Sequence, residues 1–132
     1  NLSGAVIGNS IFIDTNMSST DFSKSEVVMS DFSDATLSFG DFTKAEISDS
    51  KFAYASVNNA NFSKSELRNV DFSNANLSSA DFSNTKLISV NFENATLNFA
   101  NFNGAEFEDV NIRGATINNV SSTGAKNLPF GM

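Results

Sequence analysis

The sequence predicts an all-β chain coiled into a solenoid of about six four-sided turns, and three observations carry that prediction. An apolar residue stands at every fifth position from Leu2 to Ile117. A small residue stands two places before these centres, from Ala5 and Ser10 to Ala115, and none is larger than Val. Charged residues recur at a spacing of twenty, as in Lys24, Lys44 and Lys64.

The period of five comes first because it excludes the ordinary alternatives. In a helix, five steps of about 100° turn each centre by roughly 140° from the last, which scatters the apolar residues around the cylinder. In an extended strand a period of two sends successive centres to opposite faces. A chain that bends once per repeat avoids both problems. Each centre and its small predecessor then point inward, and stacking of neighbouring coils stabilises the whole.

The number of sides follows from which residues would stack. Phe and aliphatic centres alternate, so a three-sided coil would place Phe above aliphatic in every column. A four-sided coil of twenty residues sorts them. Phe22, Phe42, Phe62, Phe82 and Phe102 fall in one column, Phe32, Phe52, Phe72 and Phe92 in the opposite one, and aliphatic residues in the other two. Glu26, Glu46 and Glu66 repeat at the same spacing on the surface. Six coils about 4.8 Å apart give a rod of roughly 29 Å.

The small residue and the centre together read Ala75-Asn76-Leu77, Ala80-Asp81-Phe82 and Ala100-Asn101-Phe102. This resembles the pentapeptide repeat family, whose pattern is written A(D/N)LXX, and the resemblance covers residues 1–119. It implies a right-handed quadrilateral β-helix, a hand that periodicity does not supply. The solenoid is therefore expected over 1–119, with 120–132 as a C-terminal capping tail.

In that tail Ser122 takes a centre position, and Leu128, Phe130 and Met132 are expected to plug the last coil. A dimer contact through the same three residues is the alternative. At the other end Val6, Ile11 and Ile13 occupy outward positions that are usually polar in this chain. The chain begins at Asn1, already inside the repeat, and is expected to be a fragment or a processed form.

Composition narrows the chemistry. The 132 residues include no Cys and no His, which removes the thiolate nucleophile, the usual general base and the commonest transition-metal ligands. Catalytic, cofactor-binding and metal sites are all expected to be absent. Asp21, Asp31, Asp41, Asp71 and Asp81 stand beside a core Phe and alternate with Asn, so they are expected to bond turn backbone rather than to act as acids or bases. The net charge of −7 argues against nucleic-acid and anionic-membrane binding. A soluble protein is expected, with the cytoplasm favoured unless a targeting segment has been removed.

Two surface stripes are candidate interaction sites. One is the charged corner written KSE, KAE and KSE, with Lys24, Lys44, Lys64, Glu26, Glu46 and Glu66 expected to neutralise one another across adjacent columns. The other is a side without charge. It carries Thr36, Ser38, Phe39, Asn58, Asn59, Thr96, Asn98 and Phe99, with the two Phe outside and three coils apart.

The function expected from these features is a non-catalytic interaction module, a rigid rod presenting flat faces to a protein partner or to a copy of itself. The family resemblance implies an alternative: some members resemble duplex DNA, bind type II topoisomerases such as gyrase, and protect against quinolones. Against it stand the Lys column and the lack of those members' C-terminal helical module. A third reading, adsorption to an ordered lattice such as ice, draws on the Thr, Ser and Asn ranks of the uncharged side.

Overall fold

The computed structural model describes residues 1–129 and 131–132. Among them the regular elements are six short strands, β1 (Val6–Gly8), β2 (Glu26–Val28), β3 (Glu46–Lys51), β4 (Glu66–Asp71), β5 (Lys86–Ile88) and β6 (Glu106–Glu108). They pair in parallel and in sequence order, with Ile7 on Val27, Val27 on Ile47 and Ile47 on Leu67. Each step up the sheet is therefore twenty residues of chain, and the other three sides of the coil lie between consecutive strands. Isolated parallel bridges at the same offset, such as Asp21 on Asp41 and Thr36 on Ser56, hold those sides.

The corners explain why five residues make one side. Every fifth residue from Gly4 to Gly124 has a positive φ, between 50° and 72°. A left-handed residue there bends the chain sharply from one side of the coil onto the next. At three of the four corners that turn closes with an N–H bond to the carbonyl three residues back, as in Ser25 N to Phe22 O and Ala35 N to Phe32 O. Asn, Asp and Gly tolerate this conformation best, and they fill most corner positions.

The fourth corner, after the β-strands, is served differently. Ser10 N donates to Ser30 Oγ at 3.2 Å and Ser30 N to Ser50 Oγ at 3.1 Å, while each of these hydroxyls donates back to the carbonyl two residues earlier in its own coil. In the first three coils a column of serines thus satisfies backbone groups that an ordinary turn bond would take up, and Val70, Val90 and Val110 hold the same place in the later coils.

The interior is two facing columns of phenylalanine. Neighbouring rings within a column stack at 4.7–5.5 Å with nearly parallel planes, from Phe22–Phe42 to Phe72–Phe92. Across the core they meet edge to face at 5.6–6.1 Å, as in Phe62–Phe72 and Phe42–Phe52. Both geometries are favoured by the ring quadrupole. Phe22 to Phe102 are fully buried in both columns, and the aliphatic centres Val27, Leu37, Ile47, Val57 and Leu67 close the remaining two sides. Burial fades at the ends, where Leu2, Phe12, Met17, Ile112 and Ile117 are only partly covered.

The ladder runs beyond residue 119, where the apolar centres stop. Ser121 bridges Asn101, Lys126 bridges Glu106, and the turn from Ser122 to Ala125 closes with Gly124 at a φ of 72°. Backbone pairing needs only the extended edge and a left-handed corner, and this last stretch has both without a ring at its centre. Of the three expected plugs, Met132 packs against the core cluster and Leu128 is exposed. Phe130 lies outside the described residues.

Candidate functional site

The acidic residue before each core Phe is bound to its own turn. Asp21, Asp31, Asp41, Asp71 and Asp81 each accept the backbone N–H two residues on, at 2.8–2.9 Å. Asn61, Asn91 and Asn101 make the same bond with an amide oxygen, so the position requires an acceptor rather than a charge. The Ser23 side chain, then its N–H, holds the Asp21 carboxyl below the ordinary value of 3.8. The Ser33 side chain does the same to Asp31, and Lys51, one coil on, adds its field. These carboxylates are turn-formers, each with its acceptor committed to the backbone.

The charged corner differs from expectation in its pairing. Lys24, Lys44 and Lys64 are exposed at left-handed corners, with φ of 57–60°, while Glu26, Glu46 and Glu66 start strands β2, β3 and β4 on the adjoining side. An inward residue, Ser25, Ala45 or Ser65, separates each pair. Among the described residues no ion pair joins these Lys to these Glu. Glu66 is instead held by Arg68 at 2.7 Å, two residues along the same strand, and Glu106 by Lys126 at 3.7 Å. Alternate residues of a strand share a face, whereas a corner side chain splays away from it. Exposed pairs such as these contribute at most about 1 kcal/mol.

The uncharged side lies between the corner of Asp14, Asp34 and Tyr54 and the corner of Ser19, Phe39 and Phe99. Its outward residues bond within and between coils: Ser38 Oγ donates to Asn58 Oδ1 at 2.7 Å, Ser78 Oγ to Asn76 Oδ1 at 2.8 Å, and Asn118 N to Asn98 Oδ1 at 3.0 Å. Thr36, Asn58, Thr96 and Asn98 are half-buried in this layer, and Asn59 stands at its corner. Phe39 and Phe99 protrude, 62% and 63% exposed, three coils or about 14 Å apart on one corner. Both adopt a positive φ, 60° and 62°, which an aromatic residue takes up at a cost.

Tyr54 belongs to the same surface and escaped the reading of the sequence. It is 63% exposed with a φ of 60°, and it stands at the opposite corner of the uncharged side, one coil above Phe39. Its place in the count of twenty, directly before Ala55 and Ser56, was the available signal. Aromatic rings therefore border the polar floor on both edges. Among the described residues no group of three acidic residues is arranged to hold a metal ion, and no helix is long and apolar enough to cross a membrane.

Two models of one family account for most of the chain: "Pentapeptide repeat region" matches residues 45–121 and "Pentapeptide repeats (8 copies)" residues 1–38. The chain belongs to the pentapeptide repeat family. The solenoid of this family is generally a non-catalytic repeat scaffold. Among solved structures, a pentapeptide repeat protein of the Arabidopsis thaliana thylakoid lumen is similar at 29% identity and a TM-score of 0.74, over 77% of this chain and 71% of that one. QnrB1, a plasmid-mediated fluoroquinolone resistance protein, is similar at 21% identity over 96% of this chain and 80% of its own, with a TM-score of 0.49. Rfr23, a pentapeptide repeat protein of the cyanobacterium Cyanothece 51142, matches at 16% identity over 91% and 89%, with a TM-score of 0.48. These last two likenesses carry no functional inference. No curated protein matches the chain.

Proposed function

We propose that this pentapeptide repeat protein is a non-catalytic docking rod whose working surface is the uncharged side, offered to a protein partner or to a copy of itself. One observation supports this most: an acidic chain of net charge −7 keeps every Asp, Glu, Lys and Arg off the floor of one side, with acids only at the Asp14 and Asp34 corner, and borders that floor with exposed Phe39, Phe99 and Tyr54. Protein contact surfaces are depleted of charge and enriched in aromatic residues in the same way. Rigidity adds to it, because the stacked rings beneath let the face meet a partner without being reordered.

The test is a photo-crosslinking benzoylphenylalanine in place of Phe39, with the same group in place of exposed Asn69, on a corner that does not border the uncharged side, as the control. Expected is a covalent protein adduct from position 39 and none from position 69. Equal labelling from both, or none from either, overturns the reading.

The alternative, a DNA-like rod docking on a type II topoisomerase, draws on the net charge and on the column Glu26, Glu46 and Glu66 in register along the strands. The exposed Lys24, Lys44 and Lys64 beside that column weaken it. Full supercoiling by gyrase in the presence of micromolar rod ends it.

A further inference from the structure

We propose that the uncharged side docks a second copy of this chain, antiparallel, about a twofold axis crossing the side midway between Ser56–Asn59 and Asn76–Ser79. This rests on the docking reading above and names its occupant.

Charge selects the side on which two copies can meet. Two chains of −7 repel along any side that carries carboxylates, and only this side brings none to the centre of a contact. Symmetry then selects the orientation. Rotation about that axis reverses the order of coils and keeps each corner over its own kind. Phe39 and Phe99 lie on one corner, each one and a half coils from the axis, so Phe39 of one copy meets the partner's Phe99, and the converse contact forms at once.

The remaining residues fit the same operation. On the floor Ser56 comes over the partner's Asn76, Asn58 over the partner's Ser78, and Ser38 over the partner's Asn98, each a hydroxyl against an amide. On the far corner Tyr54 comes over the partner's Asn74, Asp34 over the partner's Asn94, and Asp14 over the partner's Gly114, so no acid meets an acid. The parallel arrangement, with its axis along the rod, sets Asp34 against the partner's Phe39 and loses both ring contacts. Six coils by four extended residues cover on the order of 400 Å² from each copy, below the roughly 1,000 Å² in total of a stable interface, so the dimer is a weak one that forms at high concentration.

Cysteine crosslinking reads both the partner and the register, because the chain has no Cys of its own. Phe39→Cys and Phe99→Cys are both surface changes. Mixed at 200 µM under mild oxidation, they are expected to form a disulfide-linked dimer at least tenfold more than either variant alone, since a disulfide spans Cβ atoms about 3.8 Å apart and like positions lie three coils apart in the antiparallel pair. Sedimentation of the unmodified chain is expected to show a monomer–dimer equilibrium that Phe39→Ser with Phe99→Ser shifts at least tenfold toward monomer.

A chain monomeric at 1 mM overturns the proposal, and so does equal crosslinking in the mixed and separate samples. If the chain is monomeric while benzoylphenylalanine at position 39 still traps a different protein, self-docking falls and the docking rod stands.

Discussion

Phe62 and Phe82 lie face to face with ring centroids 5.0 Å apart and planes 4° from parallel, although twenty residues of chain separate them. Phe62 stacks on Phe42 in the same way, at 4.7 Å, and meets Phe72 edge-on at 5.6 Å. It is thus held from both ends of the rod and from across the core. Phe62→Ala is expected to cost about 3–5 kcal/mol, because the backbone ladder on either side cannot collapse into the space left. Chemical denaturation measures it, and a loss under about 1 kcal/mol contradicts the stacked column.

Ser25 presents the opposite case. Its Oγ is buried and finds no hydrogen-bond partner, while the equivalent places one coil to either side hold Ala5 and Ala45. An unsatisfied buried hydroxyl carries a desolvation penalty and returns nothing. Ser25→Ala is expected to raise stability by about 1 kcal/mol, seen as a higher denaturation midpoint. A lower midpoint would mean the hydroxyl has a partner in solution.

Phe39 separates stability from association. Asn59, the next residue up the same corner, adopts the same left-handed conformation with far less strain. Phe39→Asn is expected to stabilise the monomer by about 1 kcal/mol while weakening dimerisation at least tenfold. Thermal unfolding at low concentration, set beside sedimentation at high concentration, resolves the two effects, and a change of the same sign in both contradicts the assignment.

Acid acts through the turn carboxylates. Asp21 and Asp31 have their folded-state pKa lowered below the ordinary 3.8 by the Ser23 and Ser33 side chains first. The stability they contribute is fully present above that ordinary value and is lost as pH falls through the lower folded value. Melting temperature is therefore expected to hold level down to about pH 4 and then decline. Asp31→Asn keeps an acceptor for Ser33 N–H and is expected to flatten the decline, as Asn61, Asn91 and Asn101 do in place. A decline of the same steepness in that variant contradicts the account.

The architecture could be read from residues because each level of the chain repeats the same demand. A centre such as Phe62 and its small companion Ala60 recur at a fixed interval, so period and side number follow from which centres can stack, before any coordinate is known. The acceptor role of Asp71 was legible for the same reason, since Asn takes its place one coil on at Asn91. Tyr54 was signalled by its place in the count of twenty, whereas the Lys–Glu pairing and the end of the ladder were not legible. The first depends on where a side chain leaves the backbone and the second on backbone pairing that needs no apolar centre, and periodicity is silent on both.

Taken alone, then, the order of residues determined the solenoid, its four sides, the phenylalanine interior and the one side without charge, because all of these follow from which residues must escape water. Tertiary structure alone decided the left-handed corners, the serine column beside the first strands, and the failure of the corner lysines to pair with the strand glutamates. The physical reason is directional: burial depends on what a residue is, whereas exposed contacts depend on φ at each corner, which turns Lys24 away from Glu26 and sets aromatic rings around a polar floor.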